Sequence, residues 1–402
     1  MKSSNSRPRL HLKKLAEQVM VITGATSGIG LATARAAARR GARLVLVARN
    51  EDALQRLGDE LRARGAKVLT LVADVGNKEE VERVDQAVQE QFGGFDTWVN
   101  NAAVSMYGSL LDVPIEDERQ LFETNYWGMV HGSRVAARRL QHRGGAIINV
   151  ASTNADTSAP LQGTYSASEH AIKGYTDALR MELEAENAPV AVTLVKPGPI
   201  DTPFTRHARK HMDKSPRLTP PVYAPDIVAD AILFCAEHPR RGVTIGAGSK
   251  VFAMASKVAP RMTEKVMSRL GWKLQRGGEA RQATGDSLYQ PGEDLEERGN
   301  YPGRVMESSL YTRAALHPKR TGALILASGV VAGLLWRAHR RRNGHAHGHH
   351  LADGGSRAAR TLADAGHALE RKLERKGRKA AKKTSGIARS IRHGIERNLP
   401  HH

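Results

Sequence analysis

Three side chains in this sequence are of types that move protons: Ser152, Tyr165 and Glu169. Ser152 ends the apolar run AIINVAS, and Tyr165 opens YSASEHAIKG 13 residues later. A hydroxyl and a phenol facing one oxygen polarise a carbonyl and deliver its proton, provided a hydride is held at close range. Glu169 follows Tyr165 by four residues, so a helix here places both on one face. A carboxylate in that place opposes a tyrosinate, because a nearby negative charge raises the pKa of an acid. At this separation a serine and a tyrosine are ordinary surface groups unless a framework brings them together.

The framework is an alternation of short apolar runs with longer helical patterns over residues 15–250. VMVIT, RLVLVA, KVLTLVA, FDTWVN, AIINVAS and VAVTLVKP are apolar on both faces, as buried parallel strands are, and VTIG supplies a last one. LATARAAARRG, EDALQRLGDELRARG and KEEVERVDQAVQEQFG lie between them, with Gly41, Gly65 and Gly93 where helices stop. The pattern predicts an α/β, doubly wound Rossmann fold with a parallel sheet of about seven strands. Its first strand runs straight into TGATSGIG, Thr23 to Gly30, and then into a helix. Glycines there let the turn tighten and bring backbone N–H groups up to a pyrophosphate.

TGATSGIG resembles the TGxxxGxG fingerprint of the short-chain dehydrogenase/reductase family. The match continues in the family's order with Asp74-Val75, NNAA at 100–103, Asn125 in ETNYWG, Ser152, Tyr165 and PGPIDTP from Pro197. The resemblance implies a pyrophosphate cradle at Gly24, Thr26, Ser27, Gly28, Ile29 and Gly30. It places Asp74 and Val75 on the adenine, and Asn100, Asn101 and Ala102 beside the cofactor. Pro197, Gly198, Ile200 and Thr202 would hold the nicotinamide end. It makes Ser152 and Tyr165 catalytic and gives Asn125 a water on the proton path. It implies a small-molecule substrate whose carbonyl is reduced, or whose alcohol is oxidised, and the apolar residues near the expected pocket make that substrate hydrophobic. Val104, Tyr107, Leu161 and Phe204 are the apolar residues expected near that pocket.

Two positions are particular to this chain. An acidic residue at the end of the second strand would bind a ribose 2′-hydroxyl and repel a 2′-phosphate. LVLVARN has Ala48 and then Arg49 instead, so the expected cofactor is NADP(H). Glu169 stands where the family places a lysine that holds the ribose and lowers the tyrosine pKa. Lys173 is a further turn away, about 12 Å along the axis from Tyr165, and His170 points about 100° from Glu169. Neither replaces the missing charge, and reduction is the less impaired direction because a raised pKa leaves the tyrosine protonated. A cofactor-bound sensor with little turnover and a membrane- or polyanion-associated scaffold remain as alternative readings.

The rest of the chain extends this core. Residues 1–14 form a basic arm without the apolar stretch of a secretory signal, and the single cysteine, Cys235, excludes an internal disulfide. A cytoplasmic protein and a homo-oligomeric core are expected. Residues 251–318 are expected to be a helical extension, with a Gly-, Pro- and charge-rich linker over 276–304. TGALILASGVVAGLLW, residues 321–336, is a candidate membrane contact within the segment 319–338. The tail 339–402, helical or disordered, is basic: from Arg337 onward there are 17 Lys/Arg against 5 Asp/Glu, so most of the chain's net charge of +20 sits there. It suits anionic lipid or another polyanion. HAHGHH lacks acidic or cysteine partners, so no metal is expected.

Overall fold

The computed structural model describes residues 10–280, 285–292, 295–318 and 321–322. Seven runs form one parallel sheet: β1 Val19–Thr23, β2 Arg43–Ala48, β3 Val68–Val72, β4 Thr97–Asn100, β5 Gly145–Val150, β6 Val190–Pro197 and β7 Gly242–Ile245. Their spatial order is β3-β2-β1-β4-β5-β6-β7, which reverses beside β1. Ligands in such sheets bind outside the strands' carboxyl ends at that switch point.

Alternation along each strand feeds two cores. Met20 and Ile22 of β1 face one side, with Leu31 of α1 (Gly28–Arg39), Leu54 of α2 (Glu51–Ala63) and Ile232. Val19 and Val21 face the other, with Val84 of α3 (Lys78–Phe92). A further helical run crosses that second face, from α4 (Ile115–Phe122) through a π-type turn, Glu123–Trp127, to α5 (Gly128–Arg143). Tyr165 and Glu169 both lie on α6 (Gly163–Ala185), as their spacing requires. Cys235 is buried in α7 (Pro225–Glu237).

After β7 the chain forms α8 (Ala247–Val258), α9 (Pro260–Val266) and a four-residue α10 (Trp272–Gln275). The structure corrects the expectation of a linker over 276–304. Leu288 is fully buried with Val104, Met106, Leu121 and Tyr165. Backbone groups of 287–301 bond to residues as distant as Thr26 and Asp201. The composition is that of a loop, but its partners come from other parts of the fold. A short helix, α11 (Leu310–Leu316), then packs on α7 and β7. No helix among the described residues is long and apolar enough to cross a membrane, and 323–402, with most of 321–336 and the whole basic tail, lies outside them.

Leu288→Ala tests whether this segment is structural. A buried leucine truncated in a packed core costs about 2–5 kcal/mol, whereas a linker residue costs within about 0.5 kcal/mol. Urea unfolding should return a loss in the first range.

Candidate active site

The sheet's carboxyl edge opens into one large cavity of about 640 Å³. The glycine-rich loop is at one end of it, and Ser152, Tyr165 and Glu169 line it further along. The loop between β1 and α1 has no room for side chains at its glycines Gly24 and Gly30. Gly24 is left-handed at φ 64°, and a Cβ there would sit 2.8 Å from Ala102 Cα. A Cβ on Gly30 would collide with the Gly24 carbonyl, so Gly30 does not line the cavity but lets α1 start against the loop.

Thr23 and Asn101 brace this loop. Thr23 Oγ1 accepts from the Asn101 and Ala102 amides at 3.0 and 3.1 Å, while Asn101 Nδ2 donates to the Thr23 and Gly24 carbonyls at 3.0 and 3.2 Å. Asn100 is not beside the cavity. Side chains alternate along β4, so it points inward, where Nδ2 donates to Ser133 and Asn149 and Oδ1 accepts from the Trp98 indole.

At the other end, Ser152 follows β5 and its hydroxyl accepts from the Asn154 amide at 3.1 Å. Tyr165 is buried with its ring edge-on to Phe204, centroids 5.8 Å apart, and its phenol interacts with the side chains of Ser152 and Glu169. Burial is the main cause that holds its phenol well above the ordinary value, followed by the Glu169 charge; the Ser152 interaction acts the other way. Glu169 is 1 % exposed, and burial pushes its carboxyl up to about 8 despite interactions with Tyr165 and the Ser152 backbone. Its Oε2 is buried with no hydrogen-bond partner. Glu169 is therefore mostly neutral at pH 7, and its charge acts on Tyr165 only at higher pH. Lys173 pairs with Asp177 at 3.7 Å.

Asn125 lies in the π-type turn and does not line the cavity. Its amide is spent on both backbone groups of Val104, at 2.8 and 3.0 Å, and on Ser168. Thr124 before it does line the cavity, with its hydroxyl buried and unpartnered. Nothing in its type or spacing sets that threonine apart in the sequence. Pi-type turns often mark functional sites, but the extra residue in the turn is visible only in the backbone.

The remaining expected positions divide by place. Thr26, Ser27, Gly28, Ile29, Arg49, Asp74, Val75 and Ala102 line the loop end, and Pro197, Gly198, Ile200 and Thr202 line the stretch after β6. Several of them already have partners within the chain. The Gly28 amide donates to the Glu296 carbonyl at 2.9 Å, Asp74 Oδ1 accepts from the Gly76 amide, and Arg49 Nη2 donates to the Ser287 carbonyl at 2.6 Å. Val104, Tyr107 and Phe204 wall the tyrosine end; Leu161 does not. Phe252, Met267, Leu270 and Leu274, from the helices after β7, complete an apolar wall that the strand–helix pattern does not reveal.

Comparison with known proteins identifies the family of this fold. The short chain dehydrogenase family model matches residues 18–213. An uncharacterized oxidoreductase, YxnA of Bacillus subtilis, is 45% identical over 340 residues, covering 83% of this chain and 94% of that protein. The chain belongs to the short-chain dehydrogenase/reductase family. Over a shorter span it is 37% identical to 11-beta-hydroxysteroid dehydrogenase A of Arachis hypogaea, across 48% of this chain and 55% of that one. Two similar crystal structures differ in cofactor. A family member from Burkholderia phymatum in complex with NAD has TM-score 0.57 and 27% identity over 62% of this chain and 96% of that one. One from Burkholderia cenocepacia in complex with NADP has TM-score 0.54 and 28% identity over 63% and 99%. A nicotinamide cofactor follows from membership.

The raised pKa of Glu169 makes stability depend on pH. Between its unfolded value near 4.5 and its folded value of about 8, the folded state keeps a proton that the unfolded chain releases. Stability conferred by the neutral carboxyl is full below pH 4.5 and declines as pH rises to about 8, at about 1.4 kcal/mol per pH unit. Glu169→Gln should remove that slope. Its melting temperature should match wild type near pH 5 and exceed it near pH 8.5, as read by calorimetry.

Proposed function

We propose that the protein is an NADP(H)-dependent reductase of carbonyls on apolar small molecules, in which Glu169 works as a neutral acid behind Tyr165. The observation that carries this reading is that Ser152, Tyr165 and the buried Glu169 line one cavity together with the glycine-rich loop. The residues fit a dinucleotide: the loop excludes any Cβ at Gly24 and Gly30, and Glu169 presents an unpartnered buried oxygen. Gly24 to Ile29 and Asp74 would hold its adenosine and phosphate end, with Gly198 and Thr202 at the nicotinamide end. Support for the 2′-phosphate form is Arg49 beside Ala48, with no carboxylate on that strand end.

The reduced nicotinamide, when bound, supplies hydride to the carbonyl carbon. Ser152 donates a hydrogen bond to the carbonyl oxygen, and Tyr165 transfers its phenolic proton to the same oxygen, giving the alcohol. The tyrosinate left behind lies beside a stronger acid. Glu169, pushed up to about 8, is still more acidic than a phenol held well above 10, so proton transfer from Glu169 to Tyr165 is downhill. The carboxylate regains its proton from water through the cavity mouth. This chemistry needs no ammonium at position 169, because the tyrosine acts as an acid. Alcohol oxidation, which needs a tyrosinate, is the disfavoured direction. Phe204, Phe252 and Leu270 suit an apolar substrate body.

Aldehyde and ketone panels with NADPH test the reading. Tyr165→Phe should abolish turnover and leave NADPH binding in place. Glu169→Gln should lower kcat at least tenfold and flatten the decline expected as pH rises through about 8. A tenfold rise in turnover from Glu169→Lys would refute the role given to Glu169. NADPH binding without turnover in every form would favour a cofactor-bound sensor.

A further inference from the structure

The stretch 285–301 has the composition of a linker, yet its described parts follow the cavity's rim. Its first part is latched beside α4. Tyr289 Oη donates to Asp117 Oδ1 at 2.7 Å, and Arg209 Nη1 donates to Asp286 Oδ2 at 2.9 Å with its guanidinium 5.7 Å from the Tyr289 ring centroid. Between these two polar anchors, Leu288 is buried under the tyrosine end of the site.

The next contacts reach the end of β2. Arg49 Nη2 donates to the carbonyls of Ser287 and Gln290 at 2.6 and 3.4 Å, and Asn50 Nδ2 donates to that of Gly292 at 3.0 Å. Ser287, Pro291 and Gly292 line the cavity there. The last contacts reach the glycine-rich loop and α1. The Leu295 amide donates to the Thr26 carbonyl at 2.8 Å, the Glu296 carbonyl accepts from the Gly28 amide, and Arg35 donates to Glu297 at 2.8 Å. Asp201 accepts from the amides of Gly299 and Tyr301. Contacts thus run from the tyrosine end to the loop end.

We propose that residues 286–292 and 295–301 are a wall of the dinucleotide site, and that the carbonyls of Ser287 and Gln290 position Arg49 for the adenosine end of the cofactor. The proposal rests on the reading of the cavity as an NADP(H) site. Two neutral acceptors fix one arm of the guanidinium, and the Asp74 carboxylate forms an ion pair with the other. Its other nitrogen, Nη1, is buried, makes no hydrogen bond, and lies 3.8 Å from Asp74. An arginine held this way keeps a donor directed at a fixed place, which favours a phosphate on the adenosine ribose. The same arrangement covers part of the channel, so dinucleotide release requires the latch to give way.

The test uses the full chain. Tyr289→Phe combined with Arg209→Gln removes the latch. Dissociation of NADPH, followed by stopped-flow fluorescence, should quicken at least tenfold, and the ratio of the NADH Kd to the NADPH Kd should fall at least threefold. Because this double variant perturbs a packed segment, hydrogen exchange on the wild type supplies a second measurement. Adding NADP+ should slow exchange of the peptide containing 286–292 at least fivefold. Unchanged release and selectivity in a folded variant, or unchanged exchange on NADP+ binding, would overturn the proposal alone. If neither dinucleotide binds the wild type, the cofactor reading falls with it.

Discussion

A carboxyl group buried beside a phenol is the constraint on which the site depends. In water Glu169 would be a charged neighbour that discourages ionisation of Tyr165. Buried at 1 % exposure, it instead keeps its proton near neutral pH and becomes a hydrogen-bonding companion. The surroundings therefore decide what the residue type means. Glu169 on α6 lines the cavity together with residues after β5 and the apolar helices after β7.

The opposite end of the cavity is rigid for a different reason. Around the glycine-rich loop, backbone approaches backbone. Thr23 and Asn101 tie the end of β1 to the chain after β4, and the absence of side chains at Gly24 and Gly30 makes the approach feasible. One end of the cavity is thus shaped by burial of a titrating side chain, and the other by covalent geometry. A ligand reaching both ends must be long, polar at one end and tolerant of apolar surroundings at the other.

The strands and the glycine loop are legible in the sequence because their signals are local: apolar runs of strand length, stop glycines, and a motif placed between a strand and a helix. The tyrosine and glutamate also share a face because helical spacing fixes it. Legibility fails where one residue or a distant partner decides. Asn100 and Asn101 are adjacent and chemically identical, yet strand alternation sends the first into a buried network and the second to the loop. The stretch 285–301 reads as a linker because Gly, Pro and charge usually mean solvent. Its anchors, such as Arg35 to Glu297 across 262 positions, leave no periodic trace. The neutrality of Glu169 depends on burial, which no motif encodes.

The turn Glu123–Trp127 sets the phase of the helical run that contains it. A wider turn holds about one residue more than an α-helical one, so the faces before and after it are offset by about 100° relative to an unbroken helix. Asp117 upstream serves the tyrosine-side latch, whereas Ser133 downstream serves the buried asparagine network. Shortening the run by one residue at the turn would make it a better helix and a worse component, because its two halves would no longer address their own neighbours. Length here acts as an angular setting, and a chain that gained or lost a residue at this point would need a second change on the same helix to restore both sets of contacts.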